Sequence, residues 1–161
     1  MIKSYFTEND KHFLTKNLLS HFSEPIVCAE VGNWTGNSTR FFSSSIPKGS
    51  VFYSVDIRDH DIDVPDTVIR VHSCSLDWKT PSHLDFIYLD GNHYTGHVIK
   101  EIEKFSKITN FIAGHDCAHI AYSLFKQYQN KKRPCELLFD NQCSSWIMKI
   151  RTDNNEGSKD V

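Results

Sequence analysis

The 161-residue chain has no apolar run approaching the roughly 18 residues that a membrane-spanning helix needs, and its opening stretch, MIKSYFTENDKHF, has no apolar centre of the secretory type. The expectation is a soluble protein of the cytoplasm that meets no membrane. Cysteine is present but unpatterned. Cys28, Cys74, Cys117, Cys135 and Cys143 are odd in number and form no CxxC pair, which argues against a disulfide framework or a thiolate zinc site. There is no basic block either: 18 Lys and Arg against 20 Asp and Glu leave a formal charge of −2, so nucleic acid is not expected as a main partner. Two nucleotide-binding patterns are also missing. Residues 32–38 read GNWTGNS, which is neither GxGxxG nor GxxxxGK[ST].

What is present is the composition of one ordinary globular domain, 39% apolar and 24% charged, with no repeat and no linker. Two sequons, at Asn33 and Asn37, read as coincidences without a secretory signal. Phe13, Leu14, Leu18, Leu19 and Phe22 form a helical stripe across 10–22, so residues 1–25 are expected to be an N-terminal helical segment. The main domain, 26–151, alternates short apolar runs (26–31, 51–57, 67–73, 84–89, 110–113) with helical patterns at 38–46, 94–108 and around Ala121 to Tyr128. In the 94–108 helix, Val98, Ile99, Ile102, Phe105 and Ile108 share a face, with Lys100, Glu101, Glu103 and Lys104 mostly opposite. Residues 58–66, RDHDIDVPD, are too short and polar for a crossover helix, and 135–139 and 145–150 read as a closing hairpin. The tail, 152–161, is expected to be disordered.

Strands alternating with helices imply an α/β sandwich, a mostly parallel sheet covered on both faces, with the last strand entering antiparallel. Ligands bind such sheets at the carboxyl ends of the strands. Those ends carry Glu30 and Gly32, Asp56, Ser73 and Ser75, Asp90, and His115 with Asp116. Gly32 and Gly36 allow close approach of backbone to a ligand beside a helix N-terminus, and Asp56 stands where a carboxylate can hold ribose hydroxyls; a plain tight turn with a surface Asp is the other reading. Asp90 and Asp116 with His115 make a candidate Mg²⁺ or Mn²⁺ site, since hard cations prefer oxygen ligands, and His93 could serve it as a general base. Equally, these groups could cap strand ends, with Asp116 as an N-cap. Trp34 and Trp78 are candidates either for stacking on a ligand or for packing. The acidic loop at Asp59, His60, Asp61 and Asp63 and the basic run Lys131, Lys132, Arg133 read as solvated turns.

The stretches AEVGNWTGNST, YSVDI, HSCSLD, FIYLDGNHYTGHVIKEIEKF and FIAGHD resemble, in order, the landmarks of class I S-adenosylmethionine-dependent methyltransferases, and within them the branch called methyltransferase domain 24, which includes metal-dependent sugar O-methyltransferases. The resemblance covers about 26–150. It implies a seven-stranded Rossmann-like sheet in a minimal form without a lid, an S-adenosyl-L-methionine cofactor, and methyl transfer to a small-molecule hydroxyl of sugar-like type. Glu30, Gly32 and Gly36 would line the methionine end, with Ser38 and Thr39 opening the helix beside it; Asp56 would hold the ribose, Cys74 and Ser75 would border the adenine, and Asn33 and Ile57 are further cofactor-binding positions. Asp90, His115 and Asp116 match metal ligands, and His93 and Asp90 would be catalytic. Two positions depart from the pattern: Cys74 stands where Asp is frequent, and His115 where sugar-methylating members carry an acidic ligand. A lidless pocket is either open or closed by a second copy in a homodimer. The same fold also suits a binding module that has lost the reaction, or a metal-dependent hydroxylase or lyase.

Overall fold

The structure, a computed structural model, describes residues 6–131 and 134–150. The tail at 152–161 and two residues of the basic run, Lys132 and Arg133, lie outside it. Among the described residues seven strands form one sheet: β1 Val27–Val31, β2 Val51–Asp56, β3 Val68–His72, β4 Leu84–Leu89, β5 Thr109–His115, β6 Cys135–Phe139 and β7 Ser145–Ile150, in the order β3-β2-β1-β4-β5-β7-β6. The pairs from β3 through β5 are parallel, and β7 enters antiparallel to both β5 and β6, as the hairpin pattern implied. The helices are α1 Glu8–Asn17, α2 Asn37–Ser45, α3 Thr95–Phe105 and α4 Ala118–Asn130.

Alternation along the strands sorts side chains onto two cores. On one face Cys28, Phe52, Phe86 and Tyr88 pack with α1, α2 and Phe6; on the other Ala29, Val31, Ile87, Leu89 and Ile112 pack with α3 and α4. The N-terminal helical segment thus shares a core with the sheet. It is shorter than its apolar stripe suggested: α1 stops at Asn17, and a single 3₁₀ turn, Leu19–His21, carries the chain on. Its start is set locally. Thr7 and Asp10 form a capping box, in which Thr7 N donates to Asp10 Oδ2 at 2.8 Å and Asp10 N to Thr7 Oγ1 at 3.3 Å.

No helix separates β2 from β3. The loop between them is tied down by arginines: Arg40 donates to the Asp63 carbonyl at 3.0 Å, and Arg70 pairs with Asp59 at 2.7 Å. Trp78 is core, packed on Tyr53 and Phe105 rather than facing a ligand. Among the described residues no helix is long and apolar enough to cross a membrane.

Candidate active site

β1 and β4 are parallel neighbours, but strand order switches between them: β2 and β3 are added on one side of β1, and β4 and β5 on the other. At such a switch point the loops diverge and leave a crevice. Gly32 closes β1 with φ +85°, and a Cβ there would overlap the Asp90 carbonyl at the end of β4. Only glycine lets these two strand ends come together. Above them lie two cavities, of about 540 and 250 Å³, which share Gly32, Trp34, Asp90 and His93 as a common wall.

The larger cavity reaches Asp56, Ile57, Cys74 and Ser75. Asp56 is held by backbone: Asn33 N donates to its Oδ2 and Arg58 N to its Oδ1, both at 2.9 Å. The smaller cavity lies against Asn33, Ser38, His115 and Asp116. Asn33 donates through Nδ2 to Ser54 Oγ at 3.0 Å, while its Oδ1, buried, has no hydrogen-bond partner among the described residues.

Two residues assigned by sequence to the methionine end sit elsewhere. Glu30 is fully buried and lines neither cavity. Because β1 alternates, its side chain points into the α2 face, where it accepts hydrogen bonds from Ser38 Oγ (2.9 Å), Ser54 Oγ (2.8 Å) and Thr39 Oγ1. Burial pushes its carboxyl up to about 7 against those three hydroxyls, so it is a clamp between β1, β2 and α2. Gly36, at φ +76°, is the residue before α2 and faces Arg40 and Ile62.

The remaining polar residues converge on one carboxylate. Asp90 Oδ1 lies 3.5 Å from His93 Nε2 and 3.7 Å from His115 Nδ1. Burial lifts the Asp90 carboxyl to about 6 although both imidazoles pull it down. His115 is not at an open strand end: it is the last residue of β5 and 4% exposed. Its Nδ1 also faces Asp116 Oδ2 at 3.4 Å, and its Nε2 faces Asp10 Oδ2 of α1 at 3.7 Å. Burial would lower the imidazole, but Asp10, Asp90 and Asp116 together raise it to about 9. With carboxylates facing both nitrogens the imidazole is drawn toward its protonated form, in which it has no lone pair to offer a metal. Among the described residues no group of three or more His, Cys, Asp or Glu is placed to hold a metal ion. Asp90, His115 and Asp116 are therefore brought together as the sequence suggested, but as a charge cluster that does not suit Mg²⁺ or Mn²⁺. Asp116 is not an N-cap. Asp116 and Cys117 both adopt positive φ (54° and 50°) before α4, and the turn is held by Trp146 Nε1 donating to the Asp116 carbonyl at 2.6 Å.

Sequence reasoning missed Asp10, whose role depends on a strand far along the chain. It also missed Glu101. The charged flank read on α3 is not all solvent-facing: Glu101 is 1% exposed and lines the larger cavity, and Lys104 donates to the carbonyls of Ser75, Leu76 and Trp78 at 2.7, 3.0 and 2.8 Å. An i, i+4 spacing from His97 was the available signal.

No family model matches the chain, methyltransferase domain 24 included, and no curated protein matches it. Solved structures do. The MycE methyltransferase of the mycinamycin biosynthetic pathway, in complex with Mg, S-adenosylhomocysteine and mycinamycin VI, superposes with a TM-score of 0.72 at 15% identity over 94% of this chain and 52% of that one. The chain has a class I methyltransferase fold. A candidate rRNA methylase from Clostridium thermocellum gives 0.65 at 13% identity, covering 94% of this chain and 98% of that one. A candidate O-methyltransferase from Klebsiella pneumoniae gives 0.60 at 12%, covering 91% and 81%. The chain thus spans about half the length of MycE but nearly all of the Clostridium protein. This methyltransferase fold is what positions the two cavities at the strand switch.

Proposed function

We propose that the chain binds S-adenosylmethionine across the two cavities and methylates a hydroxyl of a small molecule. The observation that carries this reading is the pair of cavities joined at Gly32 over the β1–β4 switch, with Asp56 lining the larger and the start of α2 lining the smaller. The residues fit the cofactor. Asp56 suits a vicinal diol, and the start of α2, which no side chain caps, offers N–H groups to a carboxylate.

When bound, the cofactor supplies a methyl group on a sulfonium. His93 is half exposed, lines both cavities and is oriented by Asp90, so it is placed to take the acceptor's hydroxyl proton at an imidazole nitrogen. Much of the acceleration then comes from positioning. No step runs through a metal ion.

Calorimetric titration with S-adenosylhomocysteine tests the reading. Binding in the micromolar range (about −8 kcal/mol) is expected, weakened roughly 10- to 100-fold by Asp56→Ala. His93→Ala should leave that affinity within about twofold while lowering methyl transfer by roughly 10² to 10⁴. Absence of binding by the folded protein would rule the reading out. A second reading, a cofactor-binding module without transfer, is favoured by the helix-free β2–β3 connection, which leaves the Ile57 side of the cavity open; Ile57 is 64% exposed. Binding without transfer to any hydroxyl acceptor would select it.

A further inference from the structure

The sheet ends on two strands, and they differ. β3 carries Arg70 and His72, and the β2–β3 loop is drawn along it: Arg70 pairs with Asp59 at 2.7 Å, and His72 Nε2 lies 2.9 Å from the Ile57 carbonyl. Charge and a covering loop are the devices that keep an edge strand from pairing with another chain. β6, at the other end of the sheet, reads Cys-Glu-Leu-Leu-Phe, with Glu136 as its one charged residue. Leu138 is 42% exposed and Phe139 56%. β7 takes one side of the strand, and the other side looks out of the sheet. Three consecutive apolar residues, Leu137 to Phe139, on such an edge are a template for another strand.

We propose that β6 is a dimerisation edge, pairing antiparallel with β6 of a second copy of this chain about a two-fold axis at Leu137. A second copy fits because the strand is complementary to itself when reversed. Centred on Leu137, that residue meets its own counterpart, Phe139 lies opposite Cys135, and Leu138 lies opposite Glu136. Cys135, Leu137 and Phe139 share the α4 face of the sheet with Ile150, Met148 and Trp146, their partners on β7. Every pair across the new seam on that face is therefore apolar and continues an existing apolar row. Moving the centre one residue either way sets Glu136 opposite Glu136 or opposite Asp140, and like charges opposed across strands are destabilising. Charge thus selects the register centred on Leu137. Neither cavity over the β1–β4 switch is lined by β6, so the dimer leaves both open and stands independently of the cofactor reading.

Sedimentation velocity from micromolar to near-millimolar protein tests the pairing. Wild type is expected to dimerise with a Kd of roughly 1–100 μM, as small interfaces do. Leu138 is exposed in the monomer, so substitutions there act on the seam rather than on the core, and matched melting temperatures check this. Leu138→Glu sets two like-charge pairs against Glu136 in each dimer, whereas Leu138→Lys sets two opposite-charge pairs. The Glu variant should therefore show a Kd at least about 10-fold above that of the Lys variant. Amide exchange at Leu137 to Phe139 should also slow in wild type as its concentration rises, a readout that needs no variant. A wild type that stays monomeric throughout, Kd values for the two variants that agree within about threefold, or exchange in β6 that does not change with concentration would each overturn the proposal.

Discussion

Asp10 of the first helix and His115 of the fifth strand meet in the interior, carboxylate Oδ2 to imidazole Nε2 at 3.7 Å. The other Asp10 oxygen, Oδ1, accepts from Ser144 N (3.1 Å), Ser145 N (3.0 Å) and Ser145 Oγ (2.8 Å) at the start of β7. One aspartate therefore caps its own helix, pins that helix to the sheet, and backs the charge cluster beneath the smaller cavity. Burial alone would raise its carboxyl, yet His115, Thr7 and Ser145 hold it far below the ordinary range.

This pair sets a pH dependence with a definite sign. His115 rises from 6.5 unfolded to about 9 folded, so its contribution to stability is complete below pH 6.5 and is lost as pH climbs through about 9. Asp10 is depressed, so its share is present above its unfolded value of 3.8 and is lost on acidification. Urea unfolding between pH 6.5 and 10 should show the alkaline loss in wild type. Asp10→Asn should destabilise at neutral pH by about 3 kcal/mol, as breaking a buried pair does, and should flatten the alkaline limb. An Asp10→Asn protein with an unchanged curve would show that the pair carries no linkage.

The same cluster makes a prediction about metals. Mg²⁺ at millimolar concentration should leave both the melting temperature and the S-adenosylhomocysteine affinity of wild type unchanged, because His115 already supplies the positive charge between Asp90 and Asp116. His115→Asp replaces a cation by a third carboxylate beside them. That variant should be less stable without metal and should regain stability with Mg²⁺. A Mg²⁺-dependent rise in wild-type melting would contradict the imidazolium assignment.

Glu30 gives a third expectation. Its carboxyl moves from 4.5 to about 7 on folding, so its protonated form favours the native state. The contribution is present below pH 4.5 and lost as pH rises through about 7, on the order of 3 kcal/mol across that interval. Glu30→Gln cannot ionise and keeps one acceptor oxygen for the surrounding hydroxyls. It should fold, and its stability between pH 4.5 and 7 should vary less than that of wild type in denaturant titrations. A steeper curve than wild type would refute this account.

The elements were legible in the sequence because their signals are local. Alternating apolar runs bounded by polar strand ends marked all seven strands, and 3.6-residue stripes marked the four helices, since apolar faces must be buried whatever covers them. The same logic put Gly32, Asp56, Asp90 and His93 at one crevice, because a parallel sheet gathers its carboxyl ends on one edge. What each charged residue does there was decided only in three dimensions. Glu30 and Glu101 look like site and surface residues in the chain, but one is a buried clamp and the other a buried cavity wall. His115 reads as a metal ligand until Asp10 arrives behind it from the other end of the chain. Periodicity fixes which way a side chain faces. Its protonation and partners depend on groups that only the packed sheet and helices bring within a few ångströms, where desolvation and pairing compete.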